Sequence, residues 1–547
     1  MAGGGIAVGV AGARATQYEA KITPAVILIC LIAASGGLLF GYDLGVTGGV
    51  ASLDDFLSDF FPSVVRGKAN AAQNPYCQYD SQLLQLWTST MFIAGAVAGL
   101  IAALVTRRYG RRLTMVVGGL AFLIGTGLLA GAVHISMLFL GRVFLGIGVG
   151  FANQAVPLYL CEMAPHSIRG ALNICFQLAT TIGILAAQCI NYGTSFITPW
   201  GWRLSLGLAG VPASMLFLGG LCLPDTPVSL IQRGHPDVGR KVLERIRGTK
   251  NVDAEFLDMH DAVELSKQGN WRKLFTRTHR PQLTAAVLIP FFQQFTGINA
   301  IMFYAPQIFN SLGSGKSSSL LSAVIIGAIN CVATLIAIFT VDRFGRKKLF
   351  LEGGIQMIVA EIATGIVMAA TFHTNQAKIT NTAAVGVLVL ICIFVSGFAW
   401  SWGPLGWLVP SEIHTIETRS AGQAITVSVN FLFSFVIGQA FLSMLCKMRF
   451  GVYFFFAFWV CLATIYTIFL LPETKGVPIE EMQLMWRTHW FWRRFVTTKQ
   501  ERCADHAPYT VDGKEAEMTQ LPVKDRSPIN SVDEGTGRKD GSNDHAA

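Results

Sequence analysis

The hexapeptide Arg-Arg-Tyr-Gly-Arg-Arg, Arg107 to Arg112, recurs as Asp-Arg-Phe-Gly-Arg-Lys at Asp342 to Lys347. Two further pairs keep the same long offset. Glu162 with Arg169 returns as Glu412 with Arg419, and Pro224-Asp225-Thr226 returns as Pro472-Glu473-Thr474, each about 235 to 250 residues on. One plan written twice in a chain predicts two pseudo-symmetric halves with a site at their interface.

Composition says what each half is made of. The 547 residues are 52% hydrophobic and 14% charged, and mean hydropathy is +0.49. That balance excludes a soluble globular chain of this size and predicts an all-α polytopic membrane protein. Apolar windows place twelve spans. The first six run over Pro24–Val50, Gln82–Val105, Leu113–Val133, Met137–Leu160, Ala171–Phe196 and Trp202–Leu223. The second six run over Gln282–Phe309, Leu320–Val341, Leu349–Phe372, Ala383–Val409, Ala421–Leu445 and Val452–Leu471.

The expected organisation is an N-terminal segment 1–23, a six-helix half 24–223 with a loop 51–80, and a polar helical interval 224–280. A second half 281–471 and a tail 472–547, disordered after about 499, complete it. The net charge of +9 is read as loop Lys and Arg holding one side in the cytoplasm, which puts both termini inside and leaves no role for nucleic acid.

Gly36 to Val50 reads Gly-Gly-Leu-Leu-Phe-Gly-Tyr-Asp-Leu-Gly-Val-Thr-Gly-Gly-Val and holds a single carboxylate, Asp43, among six glycines. A charge at bilayer depth costs at least ~2.5 kcal/mol, so it marks a functional site. Arg142, in Leu-Gly-Arg-Val of the fourth span, is its candidate partner. Burial and a facing cation act on a carboxyl in opposite senses, so their separation decides whether a proton binds.

Gln293, Gln294 and Asn299 are amides in an otherwise apolar seventh span, and Gln177, Asn330 and Asn430 are their counterparts in other spans. Amides donate and accept without charge, as sugar hydroxyls require. Gln293 and Asn299 fall ~240° apart on an ideal helix, so a break at Pro290 or Gly297 is expected. Trp407 offers a face for a sugar's C–H surface.

The repeats, with Pro-Asp-Thr-Pro (Pro224 to Pro227), Pro-Glu-Thr-Lys-Gly (Pro472 to Gly476) and Gln-Gln-Phe-Thr-Gly-Ile-Asn (Gln293 to Asn299), carry a resemblance. The chain resembles the sugar porter family of the major facilitator superfamily over roughly Lys21 to Gly476. Gly397 to Pro404 and Pro75 to Cys77 make it most similar to the monosaccharide–proton symporters of plants and green algae.

The resemblance implies the major facilitator fold and uptake of a hexose by alternating access, with the proton as coupling ion and no other cofactor. It implies sugar contacts at Gln177, Gln293, Gln294, Asn299, Asn330, Trp407 and Asn430, with Phe40, Leu44 and Ile184 as apolar neighbours. Facilitative relatives carry an amide at the position of Asp43, which favours symport over a uniporter; a sugar sensor lacks support in the tail.

Arg108, Glu162, Arg169, Arg346, Glu412, Arg419 and Glu473 are expected to form a cytoplasmic charge lock. Arg107 stands where the family pattern has Asp, so the first half's lock is expected to be wired differently. Cys77 and Cys446 taken alone are two thiols on one side; the resemblance implies a disulfide holding a lid.

Other signals carry less. Gly-Ser-Gly-Lys-Ser (Gly313 to Ser317) echoes a phosphate loop but follows no strand, and the histidines show no metal spacing. No soluble segment holds a catalytic constellation, so an enzyme is not expected. Glu361 inside the ninth span is an isolated acid. A functional monomer in the plasma membrane is the expectation.

Overall fold

The computed structural model describes residues 23–70, 77, 79–165, 169–267, 271–311, 315–373, 381–415, 418–475 and 482–496. The expected N-terminal segment before residue 23, the tail after residue 496, and Gly313 and Ser314 of the glycine-rich 313–317 stretch lie outside them.

The first half runs α1 (Pro24–Val50), α2 (Asp54–Phe60), α3 (Pro62–Asn70), α4 (Gln82–Tyr109), α5 (Arg111–Ala130), α6 (Ile135–Met163), α7 (Arg169–Thr194), α8 (Gly201–Gly207) and α9 (Gly210–Cys222). The connecting interval holds α10 (Pro227–Gln232), α11 (Pro236–Arg247), α12 (Asp253–Lys267) and α13 (Trp271–Leu274). The second half runs α14 (Arg280–Phe295), α15 (Ile298–Ser311), α16 (Lys316–Phe344), α17 (Arg346–His373), α18 (Asn381–Trp400), α19 (Trp402–Glu412), α20 (Arg419–Met448) and α21 (Gly451–Phe469), followed by α22 (Met482–Thr488) and α23 (Arg493–Val496). Among the described residues twelve helical segments are long and apolar enough to cross a membrane.

Local chemistry starts these helices where the sequence predicts. Thr23 caps α1 by accepting from the Val26 N–H at 3.3 Å, with Pro24 in the first turn where its missing N–H costs nothing. Two spans are broken. The seventh stops at Phe295 and restarts at Ile298 through Gly297, whose φ of +78° only glycine adopts without strain. Pro290 does not interrupt its helix, because α14 continues through it. The tenth breaks at Ser401, between α18 and α19, which the hydropathy pattern does not show.

The α1 glycines act by closeness. A Cβ on Gly37 would lie 2.5 Å from the Phe176 carbonyl and one on Gly45 2.6 Å from that of Ile184, while one on Gly41 would meet the Thr180 backbone. These glycines repeat every four residues, one ridge of α1 laid directly on the α7 backbone. Gly41→Val therefore forces two backbones apart, at a cost of roughly 3 kcal/mol or more. The expected result is loss of the monodisperse peak on detergent gel filtration; wild-type yield and profile would contradict this packing.

Candidate functional site: a buried ion pair and an amide cluster

With one face of α1 committed to α7, Asp43 turns toward α6. Arg142 donates from Nη1 to Asp43 Oδ1 at 2.9 Å and Oδ2 at 3.1 Å, and from Nη2 to Thr47 Oγ1 at 3.0 Å. Both side chains are sealed, at 0% and 1% exposure. Thr47, one turn beyond Asp43, donates in turn to the Asp43 carbonyl at 2.6 Å. The guanidinium also lies over the ring of Trp87, 4.2 Å from its centroid.

The separation the sequence left open is thus a direct contact. Removing one charge from such a buried pair costs about 3–5 kcal/mol when the other is stranded. Here Thr47 and Trp87 remain to hold the cation.

Four of the expected amides form one cluster at the break in the seventh span. Gln293 Nε2 donates to the Trp402 carbonyl at 2.9 Å and the Gly403 carbonyl at 3.2 Å, and its Oε1 accepts from Asn430 at 2.7 Å. Asn299 donates to Gln294 Oε1 at 2.6 Å and to Ser434 Oγ at 3.3 Å. The break places Asn299 beside Gln294 where a continuous helix would not. It also brings the chain at the second break, Trp402–Gly403, within reach of Gln293.

The remaining candidates make no hydrogen bond to this cluster. Phe40 meets Phe431, next to Asn430, edge-on with centroids 5.8 Å apart, so the two halves touch there. Trp407 is half-buried and meets Phe176, next to Gln177, at 6.5 Å. Leu44 and Ile184 are buried, as is Asn330, whose Oδ1 accepts no hydrogen bond. Glu361 is 2% exposed on α17 with Oε2 unpartnered.

The family model described as sugar (and other) transporter matches residues 29–486. The chain belongs to the sugar porter family of the major facilitator superfamily. It is 56% identical over 502 residues to sugar transport protein MST3 of Oryza sativa subsp. japonica, covering 91% of this chain and 96% of that one. It is 53% identical over 497 residues to sugar transport protein 7 of Arabidopsis thaliana, covering 90% and 97%. Among solved structures, the proton:xylose symporter XylE bound to 6-bromo-6-deoxy-D-glucose superposes with a TM-score of 0.73 at 26% identity, covering 85% of this chain and 100% of that one. XylE from E. coli in an inward open conformation gives 0.67 at 26% identity, covering 84% and 99%.

In this sugar porter the repeated basic motifs build two matching charge clusters, one per half. In the second, Arg346 pairs with Glu412 at 2.9 Å and Asp342 at 3.2 Å, Thr474 donates to Glu412 at 3.0 Å, and Glu473 accepts the Arg346 and Lys347 N–H groups at 2.9 and 3.0 Å. In the first, Arg111 pairs with Glu162 at 2.8 Å, Thr226 donates to the same carboxylate, and Asp225 accepts the Arg112 N–H at 3.4 Å.

The expected lock is corrected in two respects. Arg111, not Arg108, is the counterpart of Arg346; Arg108 is exposed and lies over the Tyr109 ring at 5.4 Å. Glu412 pairs with the arginine after the Gly turn, Arg346, rather than with Arg419 of the following helix, whose Nε meets no acceptor. The Arg169 side chain lies outside the described residues. Where Asp342 assists Arg346, the first half has Arg107 at the matching position, and Arg111 instead donates to Gln232 of α10 at 3.0 Å.

At the opposite end α2 and α3 form a lid. Phe56 packs on Trp87 at 4.9 Å and on Trp202 at 5.4 Å, so the ring covering Arg142 is itself covered by the lid. Cys77 and Cys446 are disulfide-bonded with Cα atoms 4.5 Å apart, joining the lid loop to α20. Side-chain bonds between the halves gather here too, including Ser443 to Asp80 at 2.7 Å and Gln307 to the Gly48 carbonyl at 2.9 Å.

The disulfide closes a loop across 369 residues, a constraint worth about 2–4 kcal/mol. Cys77→Ser is expected to lower the thermal unfolding midpoint, and reductant to lower the wild type to the same value. An unchanged midpoint in both would contradict a stabilising bridge.

Thr47, Trp87 and Ser434 were not singled out from the sequence. Thr47 was within reach, one helical turn from Asp43; Ser434 bears the same relation to Asn430. Trp87 carries no local signal, because only tertiary packing lays its ring on Arg142.

Proposed function

We propose that this sugar porter is a proton-coupled monosaccharide symporter, taking up a hexose such as glucose by alternating access. The carrying observation is a carboxylate sealed between two membrane helices and held by one arginine. Asp43 is the proton site and Arg142 its sensor. Gln177, Gln293, Gln294, Asn299, Asn330, Asn430 and Trp407 contact the sugar, with Phe40, Leu44 and Ile184 against its apolar faces. The proton is the only coupling group required.

When Asp43 takes a proton, its attraction for Arg142 falls, and Thr47 and the Trp87 face keep the cation in place. Trp87 also carries the lid, so the same event alters the packing that closes this end. The sugar acts at the two helix breaks, where its hydroxyls compete with backbone carbonyls for the Gln293 amide. The matched clusters around Glu162 and Glu412 serve as the lock at the other end. Their Lys and Arg content supports a cytoplasmic placement, with the lid outside and the plasma membrane as the site of action. The functional unit proposed is a monomer.

Sugar added to weakly buffered cells bearing the protein is expected to raise the external pH. Sugar flux without proton movement would leave a facilitative uniporter.

A further inference from the structure

Among the described residues, three polar atoms of α7 and one of α16 are buried without a partner. Gln188 on α7 is 3% exposed with neither Nε2 nor Oε1 hydrogen-bonded. Asn191, one turn on, donates to the Gly45 and Val46 carbonyls at 3.1 and 3.2 Å, but its Oδ1 accepts nothing. The fourth is Asn330 Oδ1 on α16. The crevice that Gln188 and Asn191 line with Met302, Pro306, Leu320 and Ala323 is too narrow to admit a water molecule. Leaving buried polar atoms unpaired is costly, so several kept together point to a use.

Their placement says what that use is. Gln177, Ile184, Gln188 and Asn191 follow one another at helical spacing along a single face of α7. Gln188 stands about one turn, ~6 Å, beyond Ile184 toward the lid. Across the interface its amide lies against Gly327, where a Cβ would collide with Oε1; Gly327 is about one turn lid-ward of Asn330. Both walls belong to elements that must separate when the lid end opens, because α7 is in the first half and α16 in the second.

We propose that Gln188, with Asn191 Oδ1, forms an entry subsite for monosaccharide hydroxyls on the lid side of the amide cluster. The subsite is collapsed against Gly327 in this conformation and opens when the halves part. Donor and acceptor on one amide suit a hydroxyl pair, and the lack of charge suits a neutral sugar. Collapse strips the subsite of partners, so its amide hands the sugar inward as the end closes. The inference rests on the transport reading above and adds a contact to it.

The test is side-resolved kinetics in proteoliposomes of defined orientation, with D-glucose as the probe. Gln188→Leu is expected to raise the KM for D-glucose presented at the lid side about tenfold, leave the KM from the opposite side unchanged, and raise the thermal midpoint of sugar-free protein. Gln188→Met, unbranched and of similar length, is expected to show the same one-sided rise if the leucine variant is poorly made. A shifted midpoint with both KM values unchanged assigns Gln188 to packing and overturns the subsite. An equal rise from both sides also overturns it, by placing Gln188 in the central site. Failure of the transport reading is seen separately, as no D-glucose flux in the wild type.

Discussion

Asp43→Asn is expected to leave sugar exchange running and to abolish accumulation. One proton moving down ~100 mV releases ~2.3 kcal/mol, and one pH unit adds ~1.4 kcal/mol. Together these sustain a sugar gradient of a few hundredfold, roughly tenfold for each 1.4 kcal/mol. Asn keeps the shape of Asp43 but holds it permanently neutral, so the gradient should collapse to unity. Arg142 loses its counter-charge yet keeps Thr47 at 3.0 Å and the Trp87 face at 4.2 Å, so folded protein should still be recovered.

The sugar amides stand apart from the pair in their bonding, and the KM for exchange should therefore change little. Accumulation of labelled sugar in energised vesicles, beside exchange in de-energised ones, reads both. Undiminished accumulation would remove Asp43 from the coupling.

Gln293→Leu is expected to do the reverse. Gln293 holds three partners, the Trp402 and Gly403 carbonyls and the Asn430 amide. Leucine breaks all three bonds and removes a sugar contact. At about 1–3 kcal/mol for each buried group left unpaired, sugar affinity should fall by roughly 100-fold, equivalent to ~2.7 kcal/mol. The number of protons moved per sugar should not change, because the Asp43–Arg142 pair is untouched. Equilibrium counterflow gives the affinity, and parallel pH recording gives the ratio. A wild-type KM would exclude Gln293 from the sugar site; a lost proton signal with normal flux would merge two sites that the hydrogen bonding keeps separate.

The parts legible in the sequence were those set by repetition and by cost. The twelve spans follow from hydropathy, the halves from the offset motifs, and Asp43 from the expense of a charge at that depth. Gly297 was readable because amides ~240° apart on an ideal helix need a break to meet.

The break at Ser401 was hidden. Residues 397–404 are apolar enough to read as continuous helix, although Pro404 lacks the N–H that would bond back to the Trp400 carbonyl. The exchange of Arg108 for Arg111 has a similar cause. Gly110, with φ +95°, ends α4 and turns the chain, so the residue after it enters the next helix facing Glu162. Motif identity was visible; which arginine faces inward was decided by that turn. Trp87 over Arg142 lies beyond any local pattern, since α4 and α6, separated in sequence by α5, must pack before the ring and the guanidinium meet.

In the proposed mechanism proton and sugar movements are linked through Asp43. Coupling of this kind is reciprocal, so a sugar gradient alone must drive protons. Proteoliposomes with a trapped pH dye, no initial pH difference and a shunted membrane potential should acidify inside when hexose is added outside. The Asp43→Asn protein should show no acidification while still exchanging sugar. Full sugar entry into wild-type vesicles with an unchanged internal pH would contradict the account.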